Sequence, residues 1–220
     1  MFNNFIVITA DIIDSKRHSI DSEFLSKSIE KLNKAFENEL VAYFKLYRGD
    51  EIQCVPLSTK NIMKIIRNFR YALKPLEVRI GIGKGEIDNT RELYNNKLKN
   101  SNPWENDGQA FHLARQSLEY LNSNKSLEKK PRTYILSGVN GNDSDVSIGN
   151  SLLNLYDMVL ESWTKSQWDC IHAYEQYRSL EQAAHHLEKT YQSVQRSVST
   201  ACWDEVKVCE EHINQLIKRL

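Results

Sequence analysis

The chain has 220 residues, which is enough for one large domain or for a domain of about 150 residues with a smaller appendage. Its 29 basic and 29 acidic residues give a net charge of zero, which excludes a globally basic surface for nucleic acid or anionic membranes. With no C-x-x-C pair among its four cysteines and no apolar run of about 18 residues, the sequence predicts a cytoplasmic protein with free thiols and no membrane partner.

The first part of the chain alternates between strand and helix patterns. Phe5–Ala10 is a continuous apolar run, typical of a strand that is buried on both faces, and Asp11 follows it directly. The next elements are a helix that ends near Glu37, a hairpin over residues 41–55, a helix that ends before Pro75 and a strand over residues 77–87. Glycines in this last strand, at positions 81, 83 and 85, indicate close approach of another backbone, or a bulge.

The order β-α-β-β-α-β is that of ferredoxin-like folds. In this topology the first strand lies at the centre of the sheet, between the last strand and the hairpin. We therefore expect Asp11, at the end of the first strand, to lie beside Asp50 and Glu51 at the hairpin turn. Because Asp and Glu are poor strand formers, an acidic pair at the start of a strand either faces solvent or holds a positive group.

Helical patterns dominate the second part of the chain. A helix carries Ala110–Leu121, a fifth short strand covers Thr133–Leu136, a loop covers residues 138–145, and another helix covers Ile148–Trp163. These patterns predict an α+β domain over residues 1–145. They predict an all-α domain over residues 146–220, which contains a connecting helix and a further helical module.

This C-terminal module has the spacing of a helix-turn-helix. Trp168–Tyr177 is one helix, Ser179–Lys189 is a short second helix, and after a turn at Thr190 a third helix runs from Ser193 towards Leu220. In DNA-binding proteins of this kind, residues at the start of the recognition helix reach the base edges. Here those residues are Tyr191, Gln192, Ser193, Gln195, Arg196 and Ser199.

The charge of this module opposes strong DNA binding by a single copy. Residues 166–220 contain six basic and eight acidic side chains, so attraction to DNA phosphates would be weak. A homodimer would help, because two weak half-sites act together. The alternative is a helical module that serves only dimerisation or docking.

Three blocks of the sequence share their order and spacing with a known group of enzymes. The blocks are Ala10–Ser15, Arg48–Gln53 and Arg79–Gly85. They resemble the first strand, the Gly-Asp hairpin and the following strand of class III nucleotidyl cyclases and their diguanylate-cyclase relatives. Together with Asp107–Arg115 and Trp163–Gln167, the same blocks resemble the SatD family over nearly the whole chain. The cyclase resemblance implies an α+β fold with a nucleotidyl-cyclase-like, ferredoxin-like palm, followed here by the helix-turn-helix.

What the cyclase resemblance implies is a nucleotide site with two metal ions. Asp11 and Asp50 would bridge the ions, the carbonyl of Ile12 would complete the shell, and Glu51 would be a secondary ligand or only a neighbour of the site. Mg²⁺ or Mn²⁺ suits such a site, because one or two carboxylates and the substrate phosphates hold it. Phosphate contacts and charge compensation would come from a turn and two further cations: Asp14, Ser15, Lys16, Arg17, Lys84 and Arg115.

The chain departs from the class III cyclase pattern at two positions, and from the diguanylate-cyclase pattern at Arg48, which stands where a second glycine precedes the acid pair. Phe111 stands where cyclases carry an asparagine four residues before the catalytic arginine, and Leu46 stands where a base-reading lysine is common. The alternative interpretation is that Asp11 and Asp50 are remnants, satisfied by nearby Lys or Arg side chains in a structural domain.

These observations predict a nucleotide-responsive, DNA-binding transcriptional regulator. Its palm would bind an NTP or a cyclic nucleotide with a divalent metal, and its tail would bind double-stranded DNA as a homodimer. The alternative is an active nucleotidyl cyclase or nucleotidyltransferase that makes a cyclic or oligomeric nucleotide signal, with the helical tail serving only assembly. A scaffold with neither activity is the third alternative.

Overall fold

The structure is a computed structural model that describes residues 4–15, 21–47, 50–88, 107–123, 131–139 and 143–220. Its strands are β1 Phe5–Ile12, β2 Leu40–Tyr47, β3 Glu51–Pro56, β4 Val78–Gly85 and β5 Thr133–Ser137. Its helices are α1 Ser22–Ala35, α2 Ile62–Leu73, α3 Gln109–Ser123, α4 Asp143–Ser162, α5 Lys165–Tyr177, α6 Leu180–His186, α7 Tyr191–Thr200 and α8 Trp203–Arg219. Within the described ranges, no helix is both long enough and apolar enough to cross a membrane.

The five strands form one mixed sheet in the order β2-β3-β1-β4-β5. The first four strands pair antiparallel, and β5 runs parallel to β4. The chain is therefore an α+β protein. Its first strand is central, between β3 and β4, as the order of the sequence patterns predicts. The register places Asp11 opposite Glu51 of β3 and opposite Arg79 of β4.

Different helices cover the two faces of the sheet. One face carries Ile80 and Ile82 and belongs to the main core, which also contains apolar residues of α1 and α2. Helix α3 packs on the other face, against Gly81 and Gly83, where an added Cβ atom would collide with the α3 backbone. These glycines therefore permit close approach of a helix to β4. The uninterrupted register of β1 with β4 excludes the alternative of a bulge there.

The C-terminal helices pack directly on the sheet and on α2. The side-chain amide of Asn150 in α4 exchanges two hydrogen bonds, of 2.8 and 3.0 Å, with the backbone of Ile135 in β5. The amide of Asn214 in α8 accepts from the Met63 backbone N–H at 3.1 Å and donates to the Lys60 carbonyl at 2.8 Å. The main core accordingly contains residues from both sides of position 145.

The largest differences from the predicted helix boundaries are at the start of α4 and between α7 and α8. Helix α4 begins at Asp143, inside the predicted loop, with two acidic side chains in its first turn that suit a helix N-terminus. The prediction of one helix from Ser193 towards Leu220 is wrong, because the chain breaks into α7 and α8 at Cys202, whose φ is 53°. At this break the indole N–H of Trp163 donates to the Ala201 carbonyl at 3.0 Å, so a core side chain satisfies the interrupted backbone.

Candidate functional site

Acidic side chains from neighbouring strands meet where β1 ends. Asp11 and Glu51 are directly opposite partners in the β1–β3 ladder, so their Cβ atoms lie on the same face of the sheet about 5 Å apart. Asp50 immediately precedes β3 and accepts a hydrogen bond from the Ser15 hydroxyl at 2.5 Å. The predicted meeting of the first strand and the hairpin is thus present in the structure.

Both carboxylate oxygens of Asp11 have protein partners. Arg79 forms an ion pair with one of them, Nε to Oδ1 at 3.2 Å, and Asn122 of α3 donates to the other at 3.3 Å. The side chains of Asp11 and Arg79 remain 19% and 23% exposed, so the pair borders solvent. A nearby arginine that satisfies Asp11 is what the remnant interpretation predicts.

The turn after β1 lies only partly within the described residues. Ile12 is the buried last residue of β1, and Asp14 adopts a left-handed conformation with φ of 55°. Left-handed backbone is more accessible to Asp than to most residues and turns the chain sharply. Ser15 then reaches Asp50. The predicted phosphate contacts of Lys16 and Arg17 lie outside the described residues.

Lys84 is not brought to the carboxylates. It is five residues from Arg79 along β4, about 16 Å away, and strand alternation places it on the opposite face of the sheet from Asp11. Its ammonium group donates to the carbonyls of Ile217 and Lys218 in the last turn of α8, at 3.0 and 2.9 Å. Burial lowers the pKa of Lys84. Its observed role is to cap α8, because a cation satisfies the carbonyls of a helix C-terminus.

Arg115 lies on the helix that covers the Asp11 face of the sheet, but at a distance from Asp11. It is exposed on α3, seven residues before Asn122, which places both side chains on one helix face about 10 Å apart along the axis. Phe111, one turn earlier, is 5% exposed and packs in a small core with Val7 and Val55. The position that would carry a polar group in a cyclase is therefore part of the hydrophobic core.

The second candidate site is a compact unit of three helices, α5, α6 and α7. Small and apolar side chains form its own core: Cys170, Ala173, Ala183, Ala184 and Val194. Side-chain caps fix the helix starts, with Ser179 accepting from the Gln182 N–H at 3.3 Å and Thr190 accepting from the Ser193 N–H at 3.2 Å. The connection between α6 and α7 is four residues long, from 187 to 190.

Helix α7 presents its polar side chains to solvent. The six residues predicted to contact DNA are all exposed: Tyr191, Gln192, Ser193, Gln195, Arg196 and Ser199. Helical geometry places them on one contiguous arc of about 200°, and the opposite side of the helix carries the buried Val194. Gln195 and Ser199, which lie about 40° and about 80° from the Tyr191 end of this arc, also line a cavity of about 270 Å³ beside Trp203.

Comparison with known proteins identifies the family. The model of the SatD family matches residues 5–202. The chain belongs to the SatD family. No curated protein matches it. Among solved structures, this SatD protein is similar to one titled as a regulator of polyketide synthase expression from Bifidobacterium adolescentis, with 14% identity and a TM-score of 0.32, covering 97% of this chain and 79% of that one. A likeness at this level supports no functional argument.

The carboxylates of this SatD protein do not fit a metal held by protein groups alone. Within the described ranges, no three or more His, Cys, Asp or Glu side chains are grouped so that they could hold a metal ion. Asp11 already accepts from Arg79 and Asn122. A Mg²⁺ ion bound through one or two carboxylates would need phosphate oxygens to complete its shell.

Ion pairs neutralise part of the acidic charge that the composition of the SatD tail indicates. Half of the eight acidic residues have basic partners in the described structure. Glu175 and Glu210 pair with Arg67, Asp169 pairs with Lys165, and Asp204 pairs with Lys207. The segment from 178 to 202 itself carries Arg178, Lys189 and Arg196 against Glu181 and Glu188. The helical unit is therefore less acidic around α7 than the count over residues 166–220 indicates.

Sequence reasoning missed two partners of Asp11. Arg79 was detectable, because strand alternation places it on the same face of β4 as Gly81 and Gly83, and the antiparallel register places it opposite Asp11. No sequence pattern indicated that Asn122 would contact Asp11, since this hydrogen bond depends on how α3 crosses the sheet.

Proposed function

We propose that this SatD-family protein is a DNA-binding regulator whose sheet responds to a nucleotide. The observation that carries the proposal is the exposed polar arc of α7 on the compact α5–α7 unit. The proposal is supported by the succession of the short helix α6, a four-residue connection and the second helix α7, whose outer face is exposed, since a helix-turn-helix needs these parts in this order.

The side chains on α7 suit contact with base pairs. Gln192 and Gln195 carry amides of the kind that pair with adenine, and Arg196 carries a guanidinium of the kind that pairs with guanine. Ala183 and Ala184 let α6 cross closely under α7, so the outer face of α7 is free to enter a groove. With few basic residues around α7, affinity for DNA phosphates is low and falls as salt rises.

The DNA part is tested by binding of a labelled duplex at low salt to the whole chain. We expect the wild type to bind, and we expect Arg196→Ala to weaken binding and to reduce the salt slope by about 1. The matched control is Arg219→Ala, an exposed arginine at the far end of α8, which leaves binding unchanged. Absence of binding by the wild type at about 50 mM salt would remove the DNA claim.

Support for the nucleotide part comes from the carboxylates around β1. The strand order β2-β3-β1-β4 supports the proposal of a ferredoxin-like palm, and Asp11 lies beside Glu51 and near Asp50 where β1 ends and β3 begins. Because the Asp11–Arg79 pair borders solvent, a bound nucleotide with its Mg²⁺ can exchange partners, with the cation at Asp11 and a phosphate at Arg79. We favour nucleotide binding over catalytic turnover, since the ammonium group of Lys84 is hydrogen-bonded to α8 and Phe111 lies in the hydrophobic core.

The nucleotide part is tested by incubating the protein with each NTP and Mg²⁺ or Mn²⁺ while product and melting temperature are measured. We expect a rise in melting temperature without product, and we expect Asp50→Ala to abolish the rise. Asp88→Ala, an exposed carboxylate just beyond β4, is the matched control. A cyclic or oligomeric product that Asp50→Ala abolishes would show an enzyme instead. If neither a product nor a rise in melting temperature is observed, both the nucleotide-binding proposal and the enzyme alternative are contradicted.

A further inference from the structure

An unusual amount of apolar side chain is exposed on α4 and α8. Nine large hydrophobic side chains are exposed in the described part of the chain, and five of them lie on these two helices: Ile148, Leu155, Met158, Val159 and Val208. Leu155 is 58% exposed and Ile148 is 52% exposed. Single exposed hydrophobic residues are ordinary, but a contiguous group of them marks an interaction surface.

The exposed face of α4 also lacks charge. Between Asp145 and Glu161 the helix has one charged residue, Asp157, and this side chain is buried against Arg70. The outward face is therefore uncharged over about 15 residues, a length of about 22 Å. A solvated helix face normally carries charged residues, whereas the centre of a protein interface is depleted of charge and enriched in methionine.

The exposed side chains of Ile148, Leu155, Met158 and Val159 form an apolar ridge along α4, and a groove lies beside this ridge. It has a volume of about 450 Å³, separates α4 from α8 and is lined by Leu152, Asp204, Glu205, Val208, Cys209 and His212. A ridge and a groove side by side on one surface are what a two-fold interface needs, because each copy inserts its ridge into the groove of the other. We infer that the faces of α4 and α8 form the interface between two copies of this chain.

The spacing of the α4 residues fits pairing with a second α4. Ile148, Leu152, Leu155 and Val159 follow one another at intervals of four, three and four residues, which is the seam of a two-stranded helical pair. The two helices run antiparallel. Asp143 and Asp145 lie at the start of α4, whereas at its end Glu161 is paired with Arg132. Lys165 lies just beyond that end, pairs with Asp169 of its own helix and is 90% exposed, so an antiparallel pair sets it near the acidic start of the other α4. A parallel pair would place the acidic ends together.

The surface is large enough for a stable dimer. Two neighbouring helices about 10 Å apart and exposed over about 22 Å present on the order of 600 Å² per copy. Two copies then bury about 1,200 Å², the lower end of the range for stable interfaces. The dimer does not depend on the proposed function, because neither Asp11 nor α7 contributes to this surface.

Sedimentation velocity of the full chain from about 1 to about 100 µM tests this inference. We expect a dimer for the wild type. Leu155→Glu raises the dissociation constant at least about 30-fold, because it buries an unpaired charge at the centre of the interface. Leu57→Glu is the matched control, since Leu57 is 63% exposed, lies just after β3 and belongs to neither helix nor to the lining of the groove. It leaves the dimer intact.

A second substitution makes the result independent of any one position. Ile148→Glu, one end of the same seam, weakens the dimer as Leu155→Glu does, and circular dichroism shows that both variants keep the wild-type helix content. A monomeric wild type over the whole concentration range would overturn the inference. A dimer that survives both substitutions would overturn this choice of surface, as would equal weakening by Leu57→Glu.

Discussion

At the level of single residues, His172 of α5 couples stability to pH. Its ring stacks on Tyr71 of α2, with centroids 4.4 Å apart and an interplanar angle of 30°. Burial lowers the pKa of His172, and the opposing attraction of Glu175 for the charged form does not cancel this effect. The folded protein therefore favours the neutral imidazole.

This lowered pKa predicts a loss of stability in mild acid. Since the unfolded chain binds a proton at His172 near pH 6.5 and the folded chain binds it only at lower pH, the free energy of unfolding falls as pH drops through about 6.5. Urea unfolding at about pH 7.5 and about pH 5.5 measures this fall. We expect His172→Gln to reduce it and His185→Gln, at an exposed position, to leave it unchanged. Equal pH dependence in wild type and His172→Gln would contradict the prediction.

The candidate carboxylate site shows which residues a sequence can place. The meeting of Asp11 with Glu51 follows from element order and strand alternation, both of which are local patterns. Lys84 shows the limit. Its position in β4 follows from the sequence, but its partners are carbonyls more than 130 residues away in α8, and no local pattern announces them.

At the level of elements, the contact between α3 and β4 depends on glycine. The backbone of α3 at Ala110 and Ala114 lies directly over Gly83, closer than any side chain would allow. The predicted close approach is thus confirmed. What the sequence could not show is that α3, rather than a ligand, occupies the space.

Replacement of this glycine tests the contact. Gly83→Ala is expected to lower the free energy of unfolding by about 3 kcal/mol, because its methyl group meets rigid backbone and the helix must shift. Gly149→Ala in α4 is the matched control, since its nearest neighbour is the tip of Leu216 at 3.2 Å, which can move. That change is expected to be neutral or slightly stabilising. Similar urea midpoints for the two variants would contradict the account.

The break between α7 and α8 could not be predicted from the sequence. No glycine or proline marks Ala201 and Cys202, and the apolar repeat continues through them. The break is set by tertiary packing, because the buried Trp203 packs edge-to-face against Trp163, with ring centroids 6.3 Å apart. Separating the two helices leaves α7 in the three-helix unit and α8 against α2.

At the level of the whole molecule, a buried ionic cluster joins the tail helices to α2. Arg67 of α2 pairs with Glu210 of α8 and with Glu175 of α5, each at 2.6 Å. The hydroxyl of Tyr156 in α4 donates to Glu210 at 2.6 Å, and the Arg67 guanidinium lies 4.5 Å from the centre of the Trp203 ring. Helices α5 and α8 therefore meet at Arg67, and α4 joins the cluster through Glu210.

Removal of the central cation is expected to destabilise the whole chain. Arg67→Ala leaves two carboxylates without their partner, one of them buried, and should cost about 3–5 kcal/mol of unfolding free energy in urea. Lys64→Ala, one turn earlier on the exposed side of α2, is the control and should change stability by less than about 0.5 kcal/mol. A loss for Arg67→Ala no larger than that of the control would show that the cluster does not hold the tail.

The sequence shows that the chain divides into a part with alternating strands and helices and a part with helices alone. It does not show how the two parts pack together. Alternation of strands and helices up to about residue 139, followed by helices alone, matches the described elements. By helical spacing Arg70 stands within the apolar face of α2 and Arg67 borders that face, and they are 7% and 2% exposed. Their partners lie in α4, α5 and α8, and long-range ion pairs of this kind leave no periodic signal.

The central claim is that the sheet and α7 act together, so that a nucleotide bound near Asp50 changes DNA binding. The direct measurement is anisotropy of a labelled duplex titrated with protein, with and without nucleotide and Mg²⁺, for the wild type, Asp50→Ala and Arg196→Ala. We predict that nucleotide shifts the DNA dissociation constant of the wild type by about 5-fold or more, that Asp50→Ala binds DNA without this shift, and that Arg196→Ala binds weakly in both conditions. Wild-type DNA affinity that is the same with and without a nucleotide known to bind would contradict the account.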